Sequence, residues 1–284
     1  GDNSTHLYLF IKEELKDEMI FLNDFRDEQE VKLFNDFLKK YKKITTYLLL
    51  DVSEQTFKLA SIPTINPFII KKLLTRRLSK EFSKSNLNKY IVIKSAQKTK
   101  IKSTECILID IANIAPFSKI LKIVEDNEMH IESIYSVPIE LSSFYLFLEE
   151  NFGNVITKPK KIRWKLVVTR NKTGGYRIIV TFDGNLVFTR FIQGIFDEDH
   201  QISVSAISTQ ILGTIEYLRR VGYKDTHGIN VYFVFKAELN QQIKDLEIKN
   251  FRHYLIDLES IHQITTPLNT QKHEFADFYI THYF

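Results

Sequence analysis

The sequence has a single cysteine, Cys106, and only nine glycines, none of which lies between Gly1 and Gly153. One thiol closes no internal disulfide, so the fold rests on its core, and a reducing compartment is its natural setting. Cys106 leads into Ile107-Leu108-Ile109, where a buried, reduced thiol is the plain reading. No apolar run approaches the roughly 20 residues with which a helix crosses a bilayer. A strong charge of either sign is missing too. The formal charge is +4, well short of a nucleic-acid footprint, so no nucleic-acid partner is expected. The eight histidines show no spacing of four, which leaves a zinc-binding helix without support.

What remains is ordinary globular composition, 44% apolar over 284 residues, enough for one large or two medium domains with their own cores. Turn formers at Asn151-Phe152-Gly153-Asn154 and the charged Lys158-Pro159-Lys160-Lys161 read together as a hinge. Two lobes are therefore expected, 1–157 and 158–284. In the first, strands are expected at 7–11 and 19–23. Val31, Phe34, Leu38 and Tyr41 mark one face of a helix over 28–43. β-rich stretches follow at 45–51 and 56–62. Asn66 and Pro67 form a cap and first turn for a helix over 68–82. Strands at 90–95 and 105–111, a helix at 116–125, a strand at 131–136 and a helix at 138–150 complete the lobe. The second lobe opens with a meander, 165–169, 176–182 and 186–192, turned by Gly174-Gly175 and by Asp183-Gly184. A helix over 203–221 ends at Gly222, and a strand at 229–235, a helix at 237–247 and a strand at 254–258 follow. This order predicts mixed sheets covered by helices, and the halves share a gross strand–helix–strand order.

Three stretches carry a family resemblance. Ala60-Ser61-Ile62-Pro63 is a strand ending in proline before a helix. Residues 105–147 run strand, helix, strand, helix. The hairpin around Asp183-Gly184 continues into Leu186-Val187-Phe188-Thr189-Arg190, an aromatic-x-Arg. In this order they resemble the PilM-like and GspL-like cytoplasmic proteins of type IV pilus and type II secretion assembly platforms. The resemblance implies an α/β, actin-like (ribonuclease H-like) duplicated fold of two lobes. It also implies a scaffold at the inner face of a bacterial inner membrane. The implied partners are platform subunits, including the tail of a bitopic membrane protein and the assembly ATPase, with membrane association through a partner or a further segment.

An actin-like ATPase grips phosphates on two glycine-rich turns and uses nearby aspartates to place Mg²⁺ and water. The second-lobe turn here reads Thr169-Arg170-Asn171-Lys172-Thr173-Gly174-Gly175, with no acid. In the first lobe, Leu50-Asp51-Val52-Ser53-Glu54-Gln55 echoes an Asp-led phosphate turn with serine in place of glycine, or else is a polar hairpin turn. The candidate nucleotide residues are thus Asp51, Ser53, Lys172, Gly174 and Gly175. Without an acid in the second turn, no catalysis and no cofactor are expected. The rival reading is an ATP-binding ATPase or sugar-kinase-like enzyme using those residues. Ser95-x-x-Lys98 with Lys172-Thr173-Gly174 superficially suggests a serine acylase, but lacks the Ser-Asp-Asn element between them. For partner binding the candidates are Lys71, Lys72, Arg76 and Arg77, a cationic helix surface suited to acidic proteins or anionic lipid heads. The aromatic stretch 275–284 reads as a docking segment or the lead-in to a membrane helix.

Overall fold

The computed structural model describes residues 4–11, 14–22, 28–42, 44–63, 66–93, 103–113, 115–152, 162–171, 175–193, 204–244 and 251–265. β1 (Ser4–Ile11) and β2 (Glu14–Leu22) form an antiparallel pair. Helix α1 (Glu28–Lys40) carries Glu28 and Glu30 in its first turn and Lys39 and Lys40 in its last, the arrangement its dipole favours. It buries Phe34 against Phe21, ring centroids 4.8 Å apart.

β3 (Thr46–Leu50) and β4 (Gln55–Pro63) come next. α2 (Pro67–Glu81) is capped as expected, the Phe68 amide donating to Asn66 Oδ1 at 3.0 Å with proline in the first turn. β5 (Leu87–Ile93), β6 (Ser103–Ile111), α3 (Ala115–Asp126), β7 (Ile131–Ser136) and α4 (Val137–Asn151) follow. A hairpin between β3 and β4 does not form. β3 pairs in parallel with β7, while β4 and β5 flank β6 in an antiparallel sheet of three. The run Tyr47-Leu48-Leu49-Leu50 is continuously apolar, with Leu50 buried and Tyr47 exposed, whereas β4 alternates.

The second half is a five-stranded mixed sheet in the order β10-β9-β8-β11-β12. β8 (Trp164–Asn171), β9 (Gly175–Phe182) and β10 (Asn185–Gln193) form the antiparallel meander, and helix α5 (Val204–Arg220) follows. β11 (Ile229–Phe235), α6 (Ala237–Lys244), β12 (Arg252–Asp257) and α7 (Leu258–Thr265) complete the described chain, with β11 parallel to both β8 and β12. Helix α7 escapes the sequence reading. The β9–β10 turn places Asp183 at φ 50° and Gly184 at φ 81°, both left-handed as a type I′ turn needs. Gly222 sits at φ 105° past α5, where the Tyr223 amide reaches back to the Leu218 carbonyl at 3.0 Å.

Alternation along the strands divides the sheet's side chains. Leu166, Val168, Ile178, Val180, Val231 and Phe233 pack under Ile207, Ile211, Ile215 and Leu218 of α5 and Ile243 of α6. The opposite face, with Val167, Ile179, Tyr232, Val234 and Ile256, meets Leu141, Phe144, Tyr145 and Leu148 of α4 and Ile261 of α7. That second cluster continues into Leu50, Val52, Ile107 and Ile109 of the first half. α4 precedes the hinge-like segment in sequence yet packs on the sheet that follows it, so one apolar core joins the two halves.

Candidate functional site

Asp51 directly follows β3, and its carboxylate points across to the β8–β9 end of the large sheet. Its Oδ1 lies 2.5 Å from Arg177 Nη2. Its Oδ2 accepts a hydrogen bond from Asn171 Nδ2 at 2.6 Å. The side chains of Arg177 and Asp51 are 2% and 3% exposed. Arg177 also donates to the Val52 carbonyl at 3.2 Å and to Thr189 Oγ1 at 3.3 Å, and its guanidinium lies 4.9 Å from the centre of the Phe191 ring. The alternation of β9 explains the placement. Arg177 stands two residues before Ile179, on the face that looks to the first half. A buried charge of this kind persists where it is both paired and hydrogen-bonded.

The loop after Asp51 is fixed to neighbouring strands. Gln55 Nε2 donates to the Leu50 carbonyl at 3.3 Å, and its Oε1 accepts from Ser136 Oγ at the end of β7 at 2.7 Å. Ser53 is exposed, and its carbonyl accepts from the Gln55 amide at 2.9 Å. Gly175 pairs with Asn171 at the start of β9. The fold therefore brings the loop of Asp51 and Ser53 to the end of the sheet where Gly175 sits. Lys172 and Gly174 lie outside the described residues, as do Ser95, Lys98 and the stretch 275–284.

A second polar cluster holds α4 to the same face. Glu149 of α4 accepts from Tyr232 Oη of β11 and pairs with Lys165 of β8. Asn230 Nδ2 donates to Tyr232 Oη at 3.3 Å. Burial first, and then the hydrogen bond to Glu149, push the Tyr232 phenol well above its ordinary pKa. Burial, with smaller contributions from Glu149 and Asp183, also raises Tyr145. No group of three acidic, histidine or cysteine side chains placed to hold a metal ion occurs among the described residues.

The four cations proposed for partner binding divide. Lys71, Lys72 and Arg76 are exposed on α2. Arg77 is half-buried and turns toward β4, its Nη1 reaching the Ser61 carbonyl at 3.5 Å and its Nε lying 3.9 Å from Glu81. Arg190 of the aromatic-x-Arg segment ties β10 to α5 through Gln210 Oε1 at 2.9 Å. Cys106 is buried, its Sγ 3.4 Å from the Ala60 carbonyl, and burial raises its thiol pKa.

Arg177 and Asn171 escape the sequence reading. The signal for Arg177 was present: a lone cation inside Tyr176-Arg177-Ile178-Ile179-Val180, on a strand buried along nearly its whole length.

No protein-family model matches the chain, and no curated protein matches it. Among solved structures, the chain is similar to the PilM-PilN type IV pilus biogenesis complex, with 8% identity, a TM-score of 0.59, and coverage of 89% of this chain and 85% of that one. The cytoplasmic domain of EpsL, an inner-membrane component of the type II secretion system of Vibrio cholerae, matches at 8% identity and a TM-score of 0.45, covering 82% of this chain and 76% of that one. At such identity the likeness to the first is one of fold, and the fold of this chain is PilM-like.

Proposed function

We propose that this chain is a non-catalytic docking subunit of a bacterial type IV pilus or type II secretion assembly platform, built on an actin-like duplicated fold whose nucleotide site has degenerated. The observation that carries the loss of nucleotide chemistry is the Asp51–Arg177–Asn171 contact. An aspartate that positions Mg²⁺ needs free carboxylate oxygens facing the phosphates. Here one oxygen lies against a buried guanidinium and the other is held by Asn171. The described part of the opposing turn, Thr169-Arg170-Asn171, supplies no second acid. The residues do not fit a magnesium–nucleotide, and their chemistry is that of a fixed joint between the two halves.

The platform role is supported by the extent of the fold likeness, 89% of the chain, to a complex named for two pilus-biogenesis proteins. On this reading the chain sits at the cytoplasmic face of the inner membrane and receives a tail of a membrane partner. β5 offers the means. It pairs only with β6 among the described strands, and an unpaired sheet edge is where an extended peptide adds as a further strand. Among the described residues no helix is long and apolar enough to cross a bilayer.

One observation favours an ATP-binding rival: Asp51 and the β8–β9 end stand face to face, as two phosphate turns would. Thermal unfolding and calorimetric titration with ATP, ADP and Mg²⁺ separate the two. A ligand at 100 times its Kd stabilises a fold by roughly 2.7 kcal/mol, so binding would be plain. No shift is expected. A shift that Asp51→Ala abolishes would establish the ATP-binding reading instead.

A further inference from the structure

The outward face of α2 has an unusual composition. On a helix of 3.6 residues per turn, Phe68, Lys72 and Arg76 form one ridge, and Ile69, Leu73 and Lys80 lie beside it. Leu74 and Leu78, on the opposite side, are buried against Ala60, Ile62, Cys106 and Leu108 of the three-stranded sheet. The sheet-facing side is thus occupied, and the outward side is uncovered among the described residues. Phe68 is 85% exposed, Ile69 46% and Leu73 37%.

The charge on this face is of one sign. The helix has a single acid, Glu81, and it is turned away: its carboxylate pairs with Lys58 of β4 at 2.9 Å and lies 3.9 Å from Arg77. Among the described residues, no carboxylate pairs with Lys71, Lys72 or Arg76. Lys84 extends the cationic surface past the helix C-terminus. A merely solvated face mixes both signs and exposes large apolar side chains singly. Here three large apolar residues alternate with cations along one continuous face.

We infer that α2 is a membrane-surface element: its outward face lies on an anionic phospholipid bilayer, with Phe68, Ile69 and Leu73 entering the headgroup–acyl boundary and Lys72, Arg76 and Lys80 among the lipid phosphates. Helices that lie on anionic membranes combine exposed apolar side chains with Lys and Arg at low overall hydrophobicity, and α2 has both. Acidic protein surfaces are answered less well. The cations are interleaved with apolar side chains on a convex helix, and a soft fluid interface accepts both at once. The inference concerns lipid, and it stands or falls separately from the docking role.

The test is co-sedimentation of the whole chain with phosphatidylcholine vesicles, with and without phosphatidylglycerol. Binding is expected to the anionic vesicles only and to weaken with salt. Lys72→Glu with Arg76→Glu should lower the partition coefficient at least about 30-fold, since each cation near such a surface contributes roughly fivefold. Phe68→Ser with Ile69→Ser should lower it about tenfold or more. Lys119→Glu with Lys122→Glu, the same charge change on exposed positions of α3, should leave most binding intact. All six positions are exposed, so the variants keep their fold. Leu73→Cys, carrying an environment-sensitive fluorophore while Cys106 stays buried, should shift to the blue on anionic vesicles. Absence of binding, or equal losses from the α2 and α3 reversals, would overturn the inference. So would binding to poly-glutamate but not to vesicles, which would assign the face to an acidic protein.

Discussion

Breaking the Asp51–Arg177 pair gives the sharpest measurement on this fold. Both groups are almost wholly buried, so deleting one strands the other away from water. Removing one partner of such a pair costs about 3–5 kcal/mol. Asp51→Ala leaves the guanidinium with the Val52 carbonyl, Thr189 Oγ1 and the Phe191 ring, none of them charged. Arg177→Met keeps the volume and leaves Asp51 with the Asn171 amide. Each single variant should lose about 3–5 kcal/mol, which for a chain of this length lowers Tm by roughly 5–10 °C. In the double variant neither buried charge of the pair remains, so its loss should fall short of the sum of the singles by about 2 kcal/mol or more. Urea unfolding of the four proteins, followed by fluorescence, measures the cycle. Single losses below about 1 kcal/mol, adding to within roughly 0.5 kcal/mol, would refute the claim that this contact joins the halves.

Three further outcomes follow from named contacts. Tyr176 is buried and its phenol is pushed up from 10.0 to about 12. A raised folded pKa means that stability is whole below pH 10 and is lost as pH climbs toward 12, by about 3 kcal/mol from this group. Tyr176→Phe should remove that share of the alkaline loss. At neutral pH it should cost little, because Tyr176 Oη has no hydrogen-bond partner among the described residues. Tyr232→Phe deletes the hydroxyl that Glu149 accepts from. It should cost about 1.5–3 kcal/mol, the range for a hydrogen bond to a charged group, read as a drop in urea midpoint. Gly184→Ala puts a Cβ 3.0 Å from Tyr145 Oη at φ 81°. Gly222→Ala, at φ 105°, meets nothing within 4 Å. Both should lose about 1 kcal/mol or more to backbone strain, Gly184→Ala the more, as compared in thermal scans.

Much of the local architecture could be read from residues alone. Asn66-Pro67 set the start of α2, Asp183-Gly184 set the β9–β10 turn and Gly222 ended α5, because each acts on backbone angles or amides within a few residues of itself. The 3.6-residue spacing of apolar side chains likewise placed α1. Partners distant in sequence were not legible. The apolar stretch of β3 fits a hairpin and a parallel pair equally well. Its pairing with β7, some 85 residues on, is a long-range contact that no local signal encodes. Asp51 read as a phosphate-turn aspartate because its local setting has that form. Its actual partners come from the other half of the chain, Asn171 standing 120 residues away. The cationic run on α2 was plain in sequence, but only the fold turned Arg77 toward the sheet and left Phe68, Ile69 and Leu73 outward with Lys72 and Arg76. Local sequence determined most of the elements, α7 excepted, since caps, turns and periodicity act over a turn or a strand. The tertiary structure decided what each charge meets, because the pairing of buried charges depends on which faces a shared core brings together.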